Sequence, residues 1–222
     1  MDWPALTLSL RLAALTVLIL LPLGIAVGRL IAFRQFRGKG FAQAVLALPL
    51  VLPPTVLGYY LLVAFGGSSP LGRGWEALAG HSLVFSFEGL LIASIIVNVP
   101  FAIQPMQRGF ESIPPDVREA AACSGLPPWR VFWMIDLPLA WPGIVTGLIL
   151  AFAHTLGEFG VVLMVGGSIP GETRTIAIAI YDRVQAFDNS AAGVMSAVLL
   201  LFSFAALGIT YMLSSRIGRR HG

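Results

Sequence analysis

The chain has 222 residues, of which 57% are hydrophobic and only 11% are charged, and its formal net charge is +3. Because soluble domains carry about 25% charged residues, this composition and a mean hydropathy of +0.85 predict a membrane protein. The basic residues form no patch of the kind that binds nucleic acid, and a single cysteine, Cys123, excludes an internal disulfide bond. The three histidines lie far apart, without the spacing of metal ligands, so we expect no metal site.

Five apolar stretches are long enough to cross a bilayer, for which a helix needs about 20 residues. They predict an all-α membrane protein with approximate spans at 10–33, 41–65, 87–107, 141–166 and 191–213. The second stretch contains Pro49, Pro53 and Pro54, which predict a kink or a break. We expect one transmembrane domain over residues 1–222.

The connection between the second and third spans contains WEALAGHSLVFSF, Trp75 to Phe87. We interpret this segment, within 75–88, as a short interfacial helix, because a sixth span would reverse the side on which the later basic residues lie. Glycines spaced by four residues, Gly24 with Gly28 and Gly143 with Gly147, are typical of helices that approach closely in lipid.

The distribution of Lys and Arg predicts the orientation of the chain. Ten of the fourteen fall on one side of the five spans, and the positive-inside rule makes that side cytoplasmic. They are Arg29, Arg34, Arg37, Lys39, Arg108, Arg118, Arg130, Arg216, Arg219 and Arg220. The N-terminus is therefore predicted outside and the C-terminus inside.

The longest predicted cytoplasmic loop, residues 108–140, has an unusual composition. Pro114, Pro115 and Asp116 are typical of a helix start, and Gly125 is typical of a helix end. A second short helix is expected from Pro127–Pro128, and it carries three bulky aromatic residues. On chemistry alone, the first helix either docks into a groove on a partner or connects two spans along the lipid headgroups.

The spacing within this loop resembles the EAA loop of binding-protein-dependent ABC importer permeases. The matching residues are Glu119, Ala120, Ala121, Gly125, Ile135, Leu137 and Pro138. The resemblance implies a type I importer permease core, in which this loop is the coupling helix between spans three and four. It also implies a homodimer in the cell inner membrane, two copies of an ABC ATPase subunit and an external binding protein.

The chain has no GxxxxGK[ST] phosphate-binding loop and no recognisable catalytic constellation. We therefore expect a transport subunit and not an enzyme, without a cofactor of its own. By the same resemblance, ATP and Mg belong to the partner ATPase.

Two further segments are similar to the molybdate branch of these permeases. LPLVLPPTVLGYYLL, Leu48 to Leu62, resembles its second span, and LAFAHTLGEFG, Leu150 to Gly160, resembles its fourth. The run IPGETRT, Ile169 to Thr175, resembles the following outer loop. The resemblance implies import of molybdate, with tungstate as a companion anion. Sulfate or thiosulfate permeases share part of this pattern and remain an alternative.

Glu158 is an acidic residue inside an apolar stretch, where a charge is costly, and His154 lies four residues earlier on the same helix face. This pair has either a packing or gating role near the pore, which we favour, or acts as a proton relay in a secondary transporter. Gly157 and Gly160 permit a bend or close packing.

Further polar side chains fall inside the predicted spans, and each is a candidate contact for an anion or a helix–helix hydrogen bond. They are Thr55, Ser94, Asn98 and Thr155.

Overall fold

The computed structural model describes the backbone of residues 1–218 and the side chains of residues 1–208. The predicted basic tail at Arg219 and Arg220 lies outside the described residues. Helices dominate the described part of the chain, which contains no β-strand. They are α1 (Trp3–Phe33), α2 (Lys39–Val51), α3 (Pro54–Phe65), α4 (Pro70–Ala79), α5 (Phe87–Glu111), α6 (Pro115–Cys123), α7 (Pro128–Val131), a π-turn (Phe132–Asp136), α8 (Leu137–Gly157), α9 (Gly160–Gly166), α10 (Ile176–Gln185) and α11 (Asn189–Gly218).

The centre of the fold is α5, which packs between α1 and α8. Glycines on α8 allow the two backbones to approach closely: a Cβ on Gly143 would lie 2.7 Å from the Cα of Gly109, and one on Gly147 would lie 2.6 Å from the carbonyl oxygen of Ala102. On the other side, a Cβ on Gly24 of α1 would meet the sulfur of Met106 at 2.5 Å. The small-residue pairs therefore serve close helix packing, as predicted.

The second predicted span is a bent pair of helices, α2 and α3, with an angle of 107° between them. Residues that precede proline avoid the helical region, and Leu52 before Pro53 is extended, with φ −71° and ψ 136°. The expected break is confirmed at Pro53–Pro54. Beyond it, Gly58 of α3 packs against Met164 of α9.

The predicted bounds of span four, 141–166, differ from the structure at both ends. The helix begins at Pro128, continues through α7, the π-turn and α8, and stops at Gly157. Pro138 has no N–H to donate to the carbonyl four residues earlier, and in the π-turn before it the N–H of Leu137 bonds instead to Phe132, five residues back. The prolines that suggested a separate short helix, Pro127 and Pro128, thus mark the start of one long helix.

The end of the bundle that holds the N-terminus also carries the short helices α4 and α10. Of the segment expected to form a short interfacial helix, within 75–88, residues 75–79 belong to α4 and residues 80–86 are not helical. The helix α4 begins earlier, at Pro70. Its ten residues would extend about 15 Å, too short to cross a hydrocarbon core of about 30 Å. Nearby, the guanidinium of Arg174 contacts the carboxylate of Asp2 at 2.7 Å and ties the loop before α10 to the start of α1.

Four helices in the described part of the chain are long and apolar enough to cross a membrane, and the bent pair makes a fifth if it counts as one span. They correspond to α1, α5, the α7–α8 helix and α11.

Candidate functional site

The EAA-like segment forms a short helix at the opposite end of the bundle from Asp2. As predicted, α6 follows Pro114 and has Asp116 in its first turn. Glu119 is exposed and lies one turn further along, so Asp116, and not Glu119, is placed to interact with the helix dipole.

The end of α6 confirms the prediction for Gly125. Its φ is +70°, in the left-handed region, and the space around its Cα is open. The backbone N–H of Leu126 then donates to the carbonyl oxygen of Ala121 at 3.2 Å, which closes the helix end. Gly125 is therefore needed for its backbone conformation and not for a close approach.

The two alanines of the motif point in different directions. Ala120 is exposed, whereas Ala121 is only 4% exposed and packs within the chain. Of the two motif alanines, Ala120 therefore faces outward and Ala121 faces the interior of the chain. Ala122 is exposed beside Ala120 and extends the outward surface.

The distal part of the motif belongs to the long helix of span four. Ile135 lies in the π-turn, and Leu137 and Pro138 begin α8. Ile135 and Leu137 are half-buried, while Pro138 is exposed. These three residues therefore shape the point at which the π-turn rejoins the α-helix.

A buried ion cluster connects α6 to two spans. Asp136 is fully buried, and its Oδ2 lies 2.7 Å from Nη2 of Arg29 at the end of α1. Its Oδ1 lies 3.2 Å from Nε of Arg118 on α6. The guanidinium of Arg118 also lies over the ring of Phe33, 3.6 Å from its centroid. One carboxylate thus holds together α1, α6 and the start of α8.

A second group of polar residues lies inside the bundle, where the sequence predicted pore or gate residues. The Oγ1 of Thr16 donates to Oγ of Ser94 at 3.0 Å, and Nδ2 of Asn98 donates to the carbonyl oxygen of Ser94 at 2.8 Å. The Oδ1 of Asn98 lies 3.1 Å from Nδ1 of His154, and Thr155 lies 3.5 Å from Ser94. Ser94, Asn98, His154 and Thr155 are therefore brought together with Thr16, and the hydroxyl of Thr155 donates to the carbonyl oxygen of Ala151 at 2.8 Å.

Glu158 adjoins this polar cluster at the break between α8 and α9. Its Oε1 accepts a hydrogen bond of 3.0 Å from the backbone N–H of Val161, in the first turn of α9, and its Oε2 lies 3.8 Å from Nε2 of His154. The side chain is 8% exposed. The carboxylate therefore accepts a hydrogen bond from a backbone N–H at the start of α9 that would otherwise have no acceptor inside the bundle.

The glycines beside Glu158 have different surroundings. The predicted bend is confirmed, because α8 ends at Gly157, which has open space around it. A Cβ on Gly160 would lie 2.8 Å from Cβ of Pro54 at the start of α3. Thr55 follows Pro54 and is exposed. It lies near the break but outside the hydrogen-bonded polar cluster.

The sequence interpretation missed the ion cluster of Arg29, Arg118 and Asp136, and also Thr16. The sequence does indicate a role for Asp136, because this carboxylate is flanked by apolar residues on both sides. A carboxylate in such a stretch requires a partner. Placing the start of span four at residue 141 concealed this signal. Among the described residues, no group of three or more His, Cys, Asp or Glu side chains is arranged to hold a metal ion.

The family model described as binding-protein-dependent transport system inner membrane component matches residues 21–219. The chain belongs to this family. It is a multi-pass inner-membrane permease subunit and not an enzyme.

Similar proteins cover almost the whole chain. The molybdenum transport system permease protein ModB of Azotobacter vinelandii is 46% identical over 210 residues, 95% of this chain and 93% of that protein. ModB of Escherichia coli (strain K12) is 38% identical over 98% of this chain and 94% of its own length. The probable sulfate transport system permease protein cysT of Zygnema circumcarinatum is 32% identical over 88% of this chain and 67% of its own length.

Solved structures share the fold at low identity. A chain of the bacterial alginate ABC transporter, crystallised with an alginate-bound periplasmic protein, superposes with a TM-score of 0.69 at 18% identity, over 95% of this chain and 76% of that one. An amino acid ABC transporter gives a TM-score of 0.62 at 17% identity, over 96% of this chain and 92% of that one.

Proposed function

We propose that this chain is the membrane-spanning subunit of an ATP-driven molybdate importer, with tungstate as a companion anion. The observation that carries the proposal is the 46% identity to a molybdenum permease over 95% of the chain. The run Ile169 to Thr175, which resembles the outer loop of molybdate permeases, supports the same anion.

The proposed topology has five spans, with the N-terminus outside and the C-terminus inside, and treats residues 1–222 as one permease domain. The bent pair α2–α3 then counts as one span. Two observations support it: Arg29 and Arg118 meet at one end of the bundle, and Asp2 meets Arg174 at the other. The end with the basic cluster is the cytoplasmic one.

The partner subunits follow from this orientation. At the cytoplasmic end, α6 is the coupling helix, and Glu119, Ala120, Gly125 and the turn around Leu137 form or position the surface for an ABC ATPase. Two ATPase copies, which bind ATP and Mg, serve a homodimer of this chain. The homodimer follows from the resemblance to these permeases, and apolar residues of the bent pair that are exposed in the isolated chain, such as Val51 and Tyr60 (79% and 63%), are available to a second copy or to lipid.

An external molybdate-binding protein docks at the other end. There, α4 and the loop before α10 project from the bundle. Ser168 at the start of this loop donates to Asp182 at 2.9 Å, which orders an exposed surface that a partner can recognise.

The polar cluster inside the bundle has a packing and gating role in this proposal. His154 is stacked on Phe101 with their centroids 4.0 Å apart, and Glu158 is engaged by the N-terminus of α9. An unpaired carboxylate beside the path would repel an oxyanion, and the N-terminus of α9 reduces this repulsion by offsetting part of the charge of Glu158. When the ATPase moves α6, the break at 158–159 is the point at which α8 and α9 can shift separately.

Two alternatives have specific support. A sulfate or thiosulfate permease is favoured by the 32% identity to the sulfate permease of Zygnema circumcarinatum. A proton-coupled secondary transporter is favoured only by the approach of His154 and Glu158 at 3.8 Å.

The decisive experiment is uptake of radiolabelled molybdate by proteoliposomes that contain the permease, its ATPase and the binding protein. Uptake is expected only with ATP on the ATPase side, to be inhibited by tungstate more than by sulfate, and to be insensitive to a protonophore. Stronger competition by sulfate would move the assignment to the sulfate permeases. Uptake driven by a proton gradient without ATP would overturn the importer.

A further inference from the structure

A groove of about 820 Å³ lies between the C-terminal turns of α1 and the π-turn that precedes α8. Three arginines line it: Arg29 and Arg34 from the end of α1, and Arg118 from α6. None of the described residues that line the groove is acidic. Asp136 lies beneath and balances only one of the three positive charges, so the groove carries an excess of positive charge.

Two of these arginines are held in fixed orientations. Arg29 directs Nε and Nη2 toward Asp136, at 2.8 and 2.7 Å, which leaves Nη1 outside these contacts. Arg118 approaches Asp136 with Nε alone, and its guanidinium is stacked on Phe33. The remaining N–H groups thus belong to side chains whose conformations are already restricted. Binding of a phosphate therefore costs less conformational entropy.

The other wall of the groove is apolar. Pro22, Ile25, Ala26 and Leu30 line it along α1. From residue 22 to the end of α1 the helix rises about 16 Å, close to the half-thickness of about 15 Å of a bilayer's hydrocarbon core. Trp133 stands at the margin with 61% of its surface exposed, as is typical of tryptophan at a membrane interface.

We propose that this groove binds an anionic phospholipid of the cytoplasmic leaflet, with its phosphate on the three arginines and an acyl chain along α1. Basic pockets between transmembrane helices on the cytoplasmic side bind anionic headgroups in this way. A soluble oxyanion matches the arginines but makes no use of the apolar wall. Because Arg118 belongs to α6, the bound headgroup fastens the proposed coupling helix to α1.

The test uses Trp133 as the reporter in the purified permease–ATPase complex. Phosphatidylglycerol or phosphatidylcholine with brominated acyl chains is titrated in, and the fluorescence of Trp133 is taken as the difference between the wild type and Trp133→Phe. Brominated phosphatidylglycerol is expected to quench at the lower concentration. Arg34→Gln is expected to raise its half-quenching concentration about fivefold, since one basic residue near a membrane surface contributes that much to anionic lipid binding.

Arg37→Gln is the matched control, because Arg37 is exposed in the same connection but does not line the groove. It is expected to leave the half-quenching concentration unchanged, and Arg34→Lys is expected to keep most of the binding. Equal quenching by the two lipids, or equal shifts for Arg34→Gln and Arg37→Gln, would overturn the proposal. Full competition by millimolar phosphate or molybdate would assign the groove to a soluble anion instead.

Discussion

Glu158 accepts a hydrogen bond from the first turn of α9 through one oxygen, and substitutions of this residue test whether the bond stabilises the permease. Glu158→Gln keeps an acceptor for the N–H of Val161 and is expected to retain most ATP-driven uptake. Glu158→Ala leaves that buried N–H without its acceptor, at a cost of about 1–3 kcal/mol. The unfolding temperature in detergent should therefore fall for the alanine variant but not for the glutamine variant. Equal unfolding temperatures for the two variants would show that the contact does not stabilise α9.

Substitutions at Gly125 can test whether the residue is required for its left-handed backbone or for its lack of a side chain. Gly125→Val is expected to weaken the end of α6 by about 1–2 kcal/mol, since a β-branched residue strains at φ +70°. Gly125→Asn adds similar bulk to the same open space but tolerates this conformation. Co-purification of the ATPase is expected to be reduced by valine and retained with asparagine. If asparagine is as damaging as valine, the glycine is required for a contact with the partner.

The helix α6, which we propose as the coupling helix, has an inner face that carries Ala121 and an outer face that carries Ala120. Ala121→Trp places a large ring where the chain itself is packed, so it should lower the unfolding temperature of the permease alone, by overpacking worth about 1–3 kcal/mol. Ala120→Trp points outward and should leave that temperature unchanged while abolishing ATPase co-purification and uptake. Retention of the ATPase by the folded Ala120→Trp variant would remove α6 from the docking surface.

Most elements of the fold were predictable, because the signals for them are local. An apolar stretch of sufficient length predicts a membrane helix wherever it packs, and Pro53–Pro54 predicts a break whatever surrounds it. The start of span four was not predictable in the same way. Pro128 to Asp136 contains one proline, three aromatic residues and two charges. It continues the helix only because a π-turn accommodates Pro138 and because Asp136 pairs with Arg29 and Arg118.

In the candidate site too, the features with local signals were predictable and the long-range contacts were not. The end of α6 at Gly125 and the bend after Gly157 follow from short motifs. The partners of Asp136 are 107 and 18 positions away along the chain, and those of Asn98 include His154, 56 positions away. Such pairs depend on how α1, α5 and α8 pack, which no local pattern specifies. The inward direction of Ala121 was missed for this reason.

The orientation of the whole chain can be tested with two glycines that have open space and ordinary helical backbones, Gly40 in α2 and Gly74 in α4. In a background in which the exposed Cys123 is replaced by serine, Gly74→Cys is expected to react in intact cells with a membrane-impermeant thiol reagent. Gly40→Cys is expected to react only after the membrane is permeabilised. The reverse pattern would invert the topology, and labelling of both from outside would break the five-span arrangement.

The π-turn at Phe132–Asp136 also sets the angle, around the helix axis, between the residues that precede it and the residues of α8. Successive residues of an α-helix advance by about 100° around its axis, so one additional residue in a turn redirects everything on its N-terminal side by roughly that angle. Winding the same residues into a regular α-helix would leave length, charge and hydropathy unchanged. It would nevertheless swing α6 and Arg118 away from the face on which Asp136 and Arg29 meet. The π-turn therefore sets the direction of the proposed ATPase-facing surface, and a homologous chain that lacks the additional residue is expected to reach the same direction with a regular α-helix.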